Sequence, residues 1–448
     1  MKTLEKGSKK LLNAWAFYDW ANSVYTLTIA SSIFPIFYSA LFGDKTEKIV
    51  RAFGFEFKST ALITFITAFT FLVVSFTSPL LSGIADYVGN KKNFMKFFCY
   101  IGGLGCIGLY WFDLDHIYIS LLFYFMGLIG YWGSLVFYNS YLPDIAYEEQ
   151  QDRISAKGFS LGYIGSVLLL IVNLAMVLYP QYFGFDIGET KADKDAASFE
   201  AMKVAFITVG VWWILFSQYT FYWLPKGTSK GHKVTKAVIF NGFKELKQVW
   251  NQLTENLRLK RYLTAFFVFS MAVQTIMLVA VYFGEEEIAW GDSDKKTLGL
   301  IVSILIIQIL AVVGAFLTSK ASAKFGNIKT LIGVNFIWMS LCFYAFFMYT
   351  PTDFYIAAAC VGFVMGGIQS LARSTYSKFL PQTKDTTSFF SFYDVAEKIG
   401  IVIGMVIFAT IDQITGSMRN AILFLFIFFL IGIVLLFRVP KDNDVTSK

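Results

Sequence analysis

The sequence predicts an all-α polytopic membrane protein, with twelve transmembrane helices arranged as two six-helix bundles. Three observations predict it: a composition too apolar for a soluble domain, twelve apolar runs of spanning length, and markers that recur halfway along the chain. Of 448 residues, 56% are hydrophobic and only 15% are charged, against roughly 25% charged in soluble domains. A soluble fold of this size lacks the polar surface to cover so much apolar mass. Aromatics make up 19%, led by 49 Phe and 24 Tyr; Phe suits lipid-facing and packed positions, and Tyr suits the headgroup zone. The net charge of +7 sits in short segments between apolar runs, where membrane topology needs it. The lipid bilayer is therefore the expected partner, and nucleic acid is not.

A hydrocarbon core of about 30 Å takes roughly 20 apolar residues of helix. Runs of that kind lie at 14–41, 60–83, 95–112, 117–142, 154–179, 203–224, 263–284, 297–319, 329–349, 353–376, 387–411 and 417–438. The first is long and holds Pro35, so a kink or an outer extension is expected there. Lys2, Lys6, Lys9 and Lys10 look like the start of a secretory signal. The run behind them is too long for one and contains Asp19 and Asn22, so a retained helix is expected.

Most of the 38 Lys and Arg residues fall on one side, in the N-tail, the alternate loops and the C-tail. That side is expected to be cytoplasmic, with both termini there and an even number of spans, in a plasma or inner membrane. The largest polar insertion, 225–262, separates an N-terminal bundle (1–224) from a C-terminal bundle (263–448). Its stretch Lys236–Arg261 is amphipathic. It fits a helix lying on the inner leaflet, and a solvated linker equally well.

The halves share markers. Ser82-Gly-Ile-Ala-Asp86-Tyr-Val-Gly89-Asn90-Lys91-Lys92 follows span 2, and Ser319-Lys-Ala-Ser-Ala323-Lys-Phe-Gly326-Asn327-Ile-Lys329 follows span 8, at an offset of 237 (Ser82 to Ser319). Leu142-Pro143 and Leu380-Pro381 repeat at 238 (Pro143 to Pro381). Two separate markers agreeing within a residue indicate duplicated halves.

The segment Gly83 to Lys92 resembles the loop signature between helices 2 and 3 of the major facilitator superfamily, with Ser82 in place of the usual first Gly. Four further segments resemble one branch, the "unknown major facilitator" family that includes the autophagy-related vacuolar amino-acid effluxers. They are Ala14-Trp-Ala-Phe-Tyr-Asp19-Trp-Ala-Asn22-Ser, Phe137-Tyr-Asn139-Ser-Tyr-Leu-Pro143-Asp144, Gly158-Phe-Ser-Leu-Gly162-Tyr-Ile-Gly165 and Gly366-Gly-Ile-Gln369-Ser-Leu-Ala-Arg373-Ser. Phe389 to Lys398 is similar to its eleventh helix. The resemblance implies a substrate carrier and points to amino acids as a substrate class. It also implies a gate built from Asp86, Gly89, Lys91 and Lys92, in which the Asp86 carboxylate meets the start of helix 11 near Thr386 and Thr387. A helix start offers free N–H groups and positive potential. Because Ala323 replaces the acid in the second half, that contact is expected on one side only.

Ionisable groups inside a span are costly and by default face a cavity or a partner. Asp19, Asn22 and Tyr25 follow one another at intervals of three. They are candidates to line a central cavity, with Asp19 binding an amine or a proton; the other reading makes Asp19 a cap near the headgroups. In span 11, Asp394 and Lys398 form an i, i+4 pair, with Glu397 beside them. Protonating one acid would neutralise this cluster, deciding whether Lys398 is held by Glu397 or freed for a substrate carboxylate. The alternative is a structural ion pair. Arg373 is a candidate carboxylate reader or inner gate, and Tyr138, Asn139 and Gln369 offer neutral hydrogen bonds. Asn173, Gln274 and Gln308 are expected only to bond neighbouring helices.

These features predict a secondary active transporter of a small polar solute, working by alternating access, with proton coupling and amino-acid efflux as its finer reading. The alternative is a non-transporting receptor or scaffold with a carrier fold. There is no Walker loop, and the two His, His116 and His232, lie in loops. Cys99, Cys106, Cys342 and Cys360 fall in apolar stretches without metal spacing, so no cofactor and no enzyme activity are expected. Glu285-Glu286-Glu287 is either a solvated edge or a partner site.

Overall fold

The computed structural model describes residues 4–42, 49–226, 238–291 and 293–440. In the first half it contains helices α1 (Lys9–Val24), α2 (Ile33–Ala40), α3 (Ser59–Val88), α4 (Lys91–Gly108), α5 (Ile117–Asn139), the single turn α6 (Leu142–Ile145), α7 (Glu148–Leu178) and α8 (Lys191–Trp223). Helix α9 (Val238–Glu255) follows, and then α10 (Leu257–Glu287), α11 (Ser293–Phe325), α12 (Asn327–Phe346), α13 (Pro351–Phe379), α14 (Thr386–Thr415), α15 (Met418–Phe424) and α16 (Phe426–Phe437). Strands β1 (Ile49–Ala52) and β2 (Phe55–Lys58) form a hairpin before α3, turning at Phe53 and Gly54, both at positive φ.

Among the described residues, eleven segments are long and apolar enough to cross a membrane. Helix α14, of 30 residues, takes the remaining place, and the fold is the expected twelve-span bundle. Several helices outrun their apolar stretch because helices end where caps satisfy their N–H groups, not where the bilayer ends. Thr190 and Asp193 form a capping box that starts α8 at Lys191, twelve residues before the predicted start of the sixth span at 203. Asp86 lies in the last turn of α3 rather than in a loop; Gly89, left-handed at φ 73°, closes that helix.

The first span breaks, but not at Pro35. Helix α1 runs into a π-helical turn, Tyr25–Ala30, and the break falls at Ser31 and Ser32. Pro35 sits in the first turn of α2, where no intrahelical partner is needed for its missing N–H.

Two apolar cores form, one from Leu11 to Leu224 and one from Val249 to Val439 with Tyr163 joined to it. The halves meet along two seams. Helix α7 packs on α11 and α13, and α3 and α5 pack on α14. Helix α9 lies across α3, α10 and α14, which makes its end of the bundle the linker end. Its buried stripe is Gly242, Val249 and Leu253, while Phe240, Phe243 and Trp250 are exposed. Residues 238–255 of the linker are thus a helix docked on the bundle, not a solvated strand of chain.

Candidate functional site

Arg373, two turns from the end of α13, crosses into the first half. Its Nε donates to Ser155 Oγ at 3.0 Å, its Nη2 to the Ser155 carbonyl at 3.0 Å, and its Nη1 to Asn139 Oδ1 at 3.2 Å. Both Nη1 and Nη2 reach Asp19 Oδ2, the latter at 3.3 Å, and Tyr138 OH donates to that same oxygen at 2.8 Å. The guanidinium also lies over Phe159 and Trp15, 4.2 and 4.8 Å from the ring centres. Trp15 is fixed in turn by donating its indole N–H to the Tyr138 carbonyl at 2.9 Å. Asp19 and Arg373 are both nearly inaccessible, at 5% and 3%. A desolvated ion pair holds only if its remaining valences are filled, and four helices fill them here. Gly158 leaves the room: a Cβ there would stand 2.4 Å from Asp19 Oδ2.

Asp19 is therefore not a helix cap, since Ser8 takes the capping position of α1. Nor does it share a surface with Tyr25. Three-residue steps on an α-helix turn 300° each, so six residues rotate the side chain well away. Tyr25 stacks on Tyr131 at 5.2 Å and tilts against Trp213 inside the first half. Asn22 is wholly buried and its Oδ1 accepts from Ser23 Oγ at 3.4 Å.

A second cluster lies deeper. Lys398 is twelve residues into α14, about 18 Å along the axis. It is ion-paired with Asp394 and lies over the Trp132 ring of α5, 4.6 Å from its centre. Its side chain is fully buried. Glu397 is not held by Lys398 among the described bonds; it accepts from Gln274 Nε2 of α10 at 2.7 Å. Glu397 and Lys398 are successive residues and point about 100° apart, which sends Glu397 to a different partner. Gln274 is thus a member of this cluster rather than a simple interhelical bridge. Between the two clusters, Tyr163 OH of α7 donates to Gln369 Oε1 of α13 at 2.7 Å.

At the linker end, Asp86 accepts from the Ser388 backbone N–H at 2.7 Å, Ser388 Oγ at 2.8 Å and the Thr387 N–H at 3.4 Å. These are the free N–H groups of the first turn of α14. Lys91 bonds Thr386 Oγ1 at 3.0 Å, the Ser140 carbonyl at 2.9 Å and Asp144 at 2.5 Å. Lys92 turns away from the seam and holds the Leu224 carbonyl at the end of α8, at 2.7 Å. Ala323 offers no side-chain acceptor, so among the described residues the second half has no counterpart of the Asp86 contact, and the other seam is held by an acid of α7 instead. Asp152 of α7 accepts from Ser322 Oγ at 2.9 Å, Asn327 Nδ2 at 3.0 Å and Lys378 Nζ at 2.7 Å, all from the second half.

Asp152, Ser155, Tyr163, Trp132 and Lys378 were not singled out from the sequence. Asp152 and Lys378 sit at water-facing helix ends, where charges are ordinary; the others are common packing residues. The acidic outer segment resolves into internal pairs: Glu287 binds Arg419 at 2.8 Å and Glu285 binds Lys296 at 3.5 Å. His116 pairs with Asp113 in an exposed loop, and His232 lies outside the described residues.

This geometry can be set beside known proteins. A family profile described as "Vacuole effluxer Atg22 like" matches residues 7–447. The uncharacterized MFS-type transporter YxiO of Bacillus subtilis is 31% identical over 437 residues, covering 96% of this chain and 95% of that protein. Autophagy-related protein 22 of Eremothecium gossypii is 23% identical over 92% of this chain and 87% of its own. Among solved structures, the transporter FucP in its outward conformation superposes with a TM-score of 0.71 at 13% identity, over 97% of this chain and all of that one. The proton:xylose symporter XylE gives 0.67 at 11% identity, over 96% and 95%. The chain is therefore an integral membrane transporter, not an enzyme, and belongs to the Atg22-like vacuole effluxer family within the major facilitator superfamily.

Proposed function

We propose that this protein is a secondary active carrier of a small zwitterionic solute such as an amino acid, working by alternating access between its two halves. The observation that carries this reading is the mid-helix cluster in which the buried Lys398–Asp394 pair, with Lys398 over Trp132 of the opposite half, lies beside the half-buried Glu397. A charge this deep has no route to the headgroups, so it persists only where it is used or fully paired. Here two carboxylates lie near one ammonium: Asp394 binds it, and Glu397 has an amide as its partner. Taking up one proton neutralises the group and releases Lys398 for a solute carboxylate, while an ionised Glu397 accepts a solute amine. This links solute binding to a proton. The family description as an effluxer supports export as the direction, and the seam around Asp86, Arg373 and Asp152 supports a state closed at the linker end. With the basic loops there, that end is the cytoplasmic face and both termini lie on it.

The test is transport in proteoliposomes, with amino acids as the first solute class. Lys398→Ala and Glu397→Gln are expected to abolish flux, with melting behaviour near that of the parent. Full flux in both variants removes the cluster from the mechanism. Binding without flux in the parent protein would favour a receptor.

A further inference from the structure

Asp86 and Asp152 stand in two seams that the internal repeat relates. At offsets of 237 and 238, Asp86 maps to Ala323, Asn90 to Asn327, and Thr387 near the start of α14 to Glu149 near the start of α7. The seam of α3 with α14 therefore has a counterpart in the seam of α11 with α7. In the first, the acid stands at the end of α3 and the donors at the start of α14. In the second the acid has changed sides. Ala323 cannot accept, while Asp152 on the starting turns of α7 takes donors from Ser322 and Asn327 beside it, and from Lys378 at the end of α13.

We infer that Asp152 is the second lock of the linker end, the exchanged counterpart of Asp86, and that its capture by Asn327 and Lys378 holds this end shut. The inference rests on the alternating-access reading but is tested without transport. Its carboxylate is 9% exposed and has three donors, all from the opposite half, so its bonds serve the seam and not its own bundle. The exchange also gives the carboxylate contacts between the halves a single polarity. Asp19, Asp86 and Asp152 all belong to the first half, and Arg373, Lys378, Asn327 and the α14 N–H groups all belong to the second. Reversing one charge then sets like against like, and reversing the pair restores attraction.

The experiment uses the full-length protein in proteoliposomes, with Cys99, Cys106, Cys342 and Cys360 replaced. A reporter Ser370→Cys is placed on α13, where only the backbone carbonyl serves the seam, accepting from Ser155. Labelling by an impermeant maleimide reports opening of the linker end. Asp152→Asn is expected to raise the labelling rate about tenfold, and Asp152→Lys or Lys378→Asp to raise it further. The double exchange Asp152→Lys with Lys378→Asp is expected to bring it back to within about twofold of the parent, a rescue that a merely structural role does not produce. Should a single reversal fail to fold, Asn327→Ala keeps the ion pair and still removes one donor, with a rise of about threefold expected. Unchanged labelling in Asp152→Asn and Asn327→Ala overturns the lock, as does a folded double exchange that labels as fast as Asp152→Asn. Flux, read separately, bears on the carrier assignment and not on this one.

Discussion

Arg373 places every one of its observed bonds in the opposite half, to Asp19, Asn139 and Ser155. Such an arginine does not stabilise its own bundle; it stabilises one arrangement of two bundles. Removing one partner of a buried pair costs about 3–5 kcal/mol because the other charge stays desolvated. Here that cost falls on the closed arrangement, where the pair exists. Arg373→Ala is therefore expected to open the linker end while melting stays within a few degrees, as read by maleimide labelling on that side. Arg373→Lys is expected to fall between, since an ammonium cannot fork to Asp19 and Ser155 together. Retention of the parent labelling rate in Arg373→Ala would contradict this. Gly158→Ala probes the same site by volume. Its Cβ meets Asp19 Oδ2 at 2.4 Å, and overpacking of this kind costs about 1–3 kcal/mol. It is expected to give a weaker version of the Arg373→Ala phenotype, measured in the same assay.

Helix α9 straps one seam and leaves the other bare. Gly83 of the helix 2–3 signature has its Cβ position 2.4 Å from the Gly242 carbonyl, so the signature glycine here is the seat of the strap. At its other end Trp250 meets Phe392 of α14 at 5.3 Å. The strap thus covers α3 and α14, while the seam of α7 with α11 and α13 carries the Asp152–Lys378 pair instead. Gly83→Val is expected to unseat α9 and leave the bundles intact. Trypsin should then cut at Lys244 and Lys247 several times faster, with an unchanged melting temperature; equal cutting rates sink the idea. Within the second bundle, α11 and α13 approach through Gly314, Gly362 and Gly366, and a Cβ on Gly366 falls 2.0 Å from the Ala311 carbonyl. Backbones that close exclude any side chain between them. Gly366→Val is expected to lower the stability of that bundle by about 1–3 kcal/mol, visible as earlier loss of helicity on heating.

As a whole, the molecule is two apolar cores that meet along two seams and are pinned at the linker end by a few desolvated polar contacts. Asp19, Asp86 and Arg373 are each below a tenth exposed, and salt screens such groups far less than surface charges. Raising ionic strength from about 0.1 to 1 M shortens the screening length from about 10 to 3 Å, yet the balance between closed and open linker end is expected to stay nearly constant. Spin labels on the linker ends of α7 and α11 give that distance distribution directly. A strong shift toward the long distance at high salt would mean that the locks are water-exposed and that their energy has been misread. Fewer and drier contacts also suit a carrier, because a small solute supplies only a few kcal/mol of differential binding with which to move the balance.

The sequence by itself determined the class, the number of spans and the two-bundle plan; the family and the Asp86 contact with α14 came through its resemblance to the superfamily. Each depends on composition, on apolar length or on a local run of residues, and bilayer thickness fixes helix length whatever the packing. It also located Asp19, Arg373, Asp394, Glu397 and Lys398, because a charge inside a span stands out against its neighbours. Only the tertiary structure decided their partners. Asp19 meets Arg373 across 354 residues of chain, Glu397 takes Gln274 rather than the adjacent Lys398, and Tyr25 rotates into its own bundle. Asp152 and Lys378 were invisible for a plain reason: at a helix end in water a charge looks ordinary, and it becomes a lock only when the other half brings donors to it. Which groups lie near one another across a seam depends on how two separately folded bundles are docked, and no local pattern encodes that.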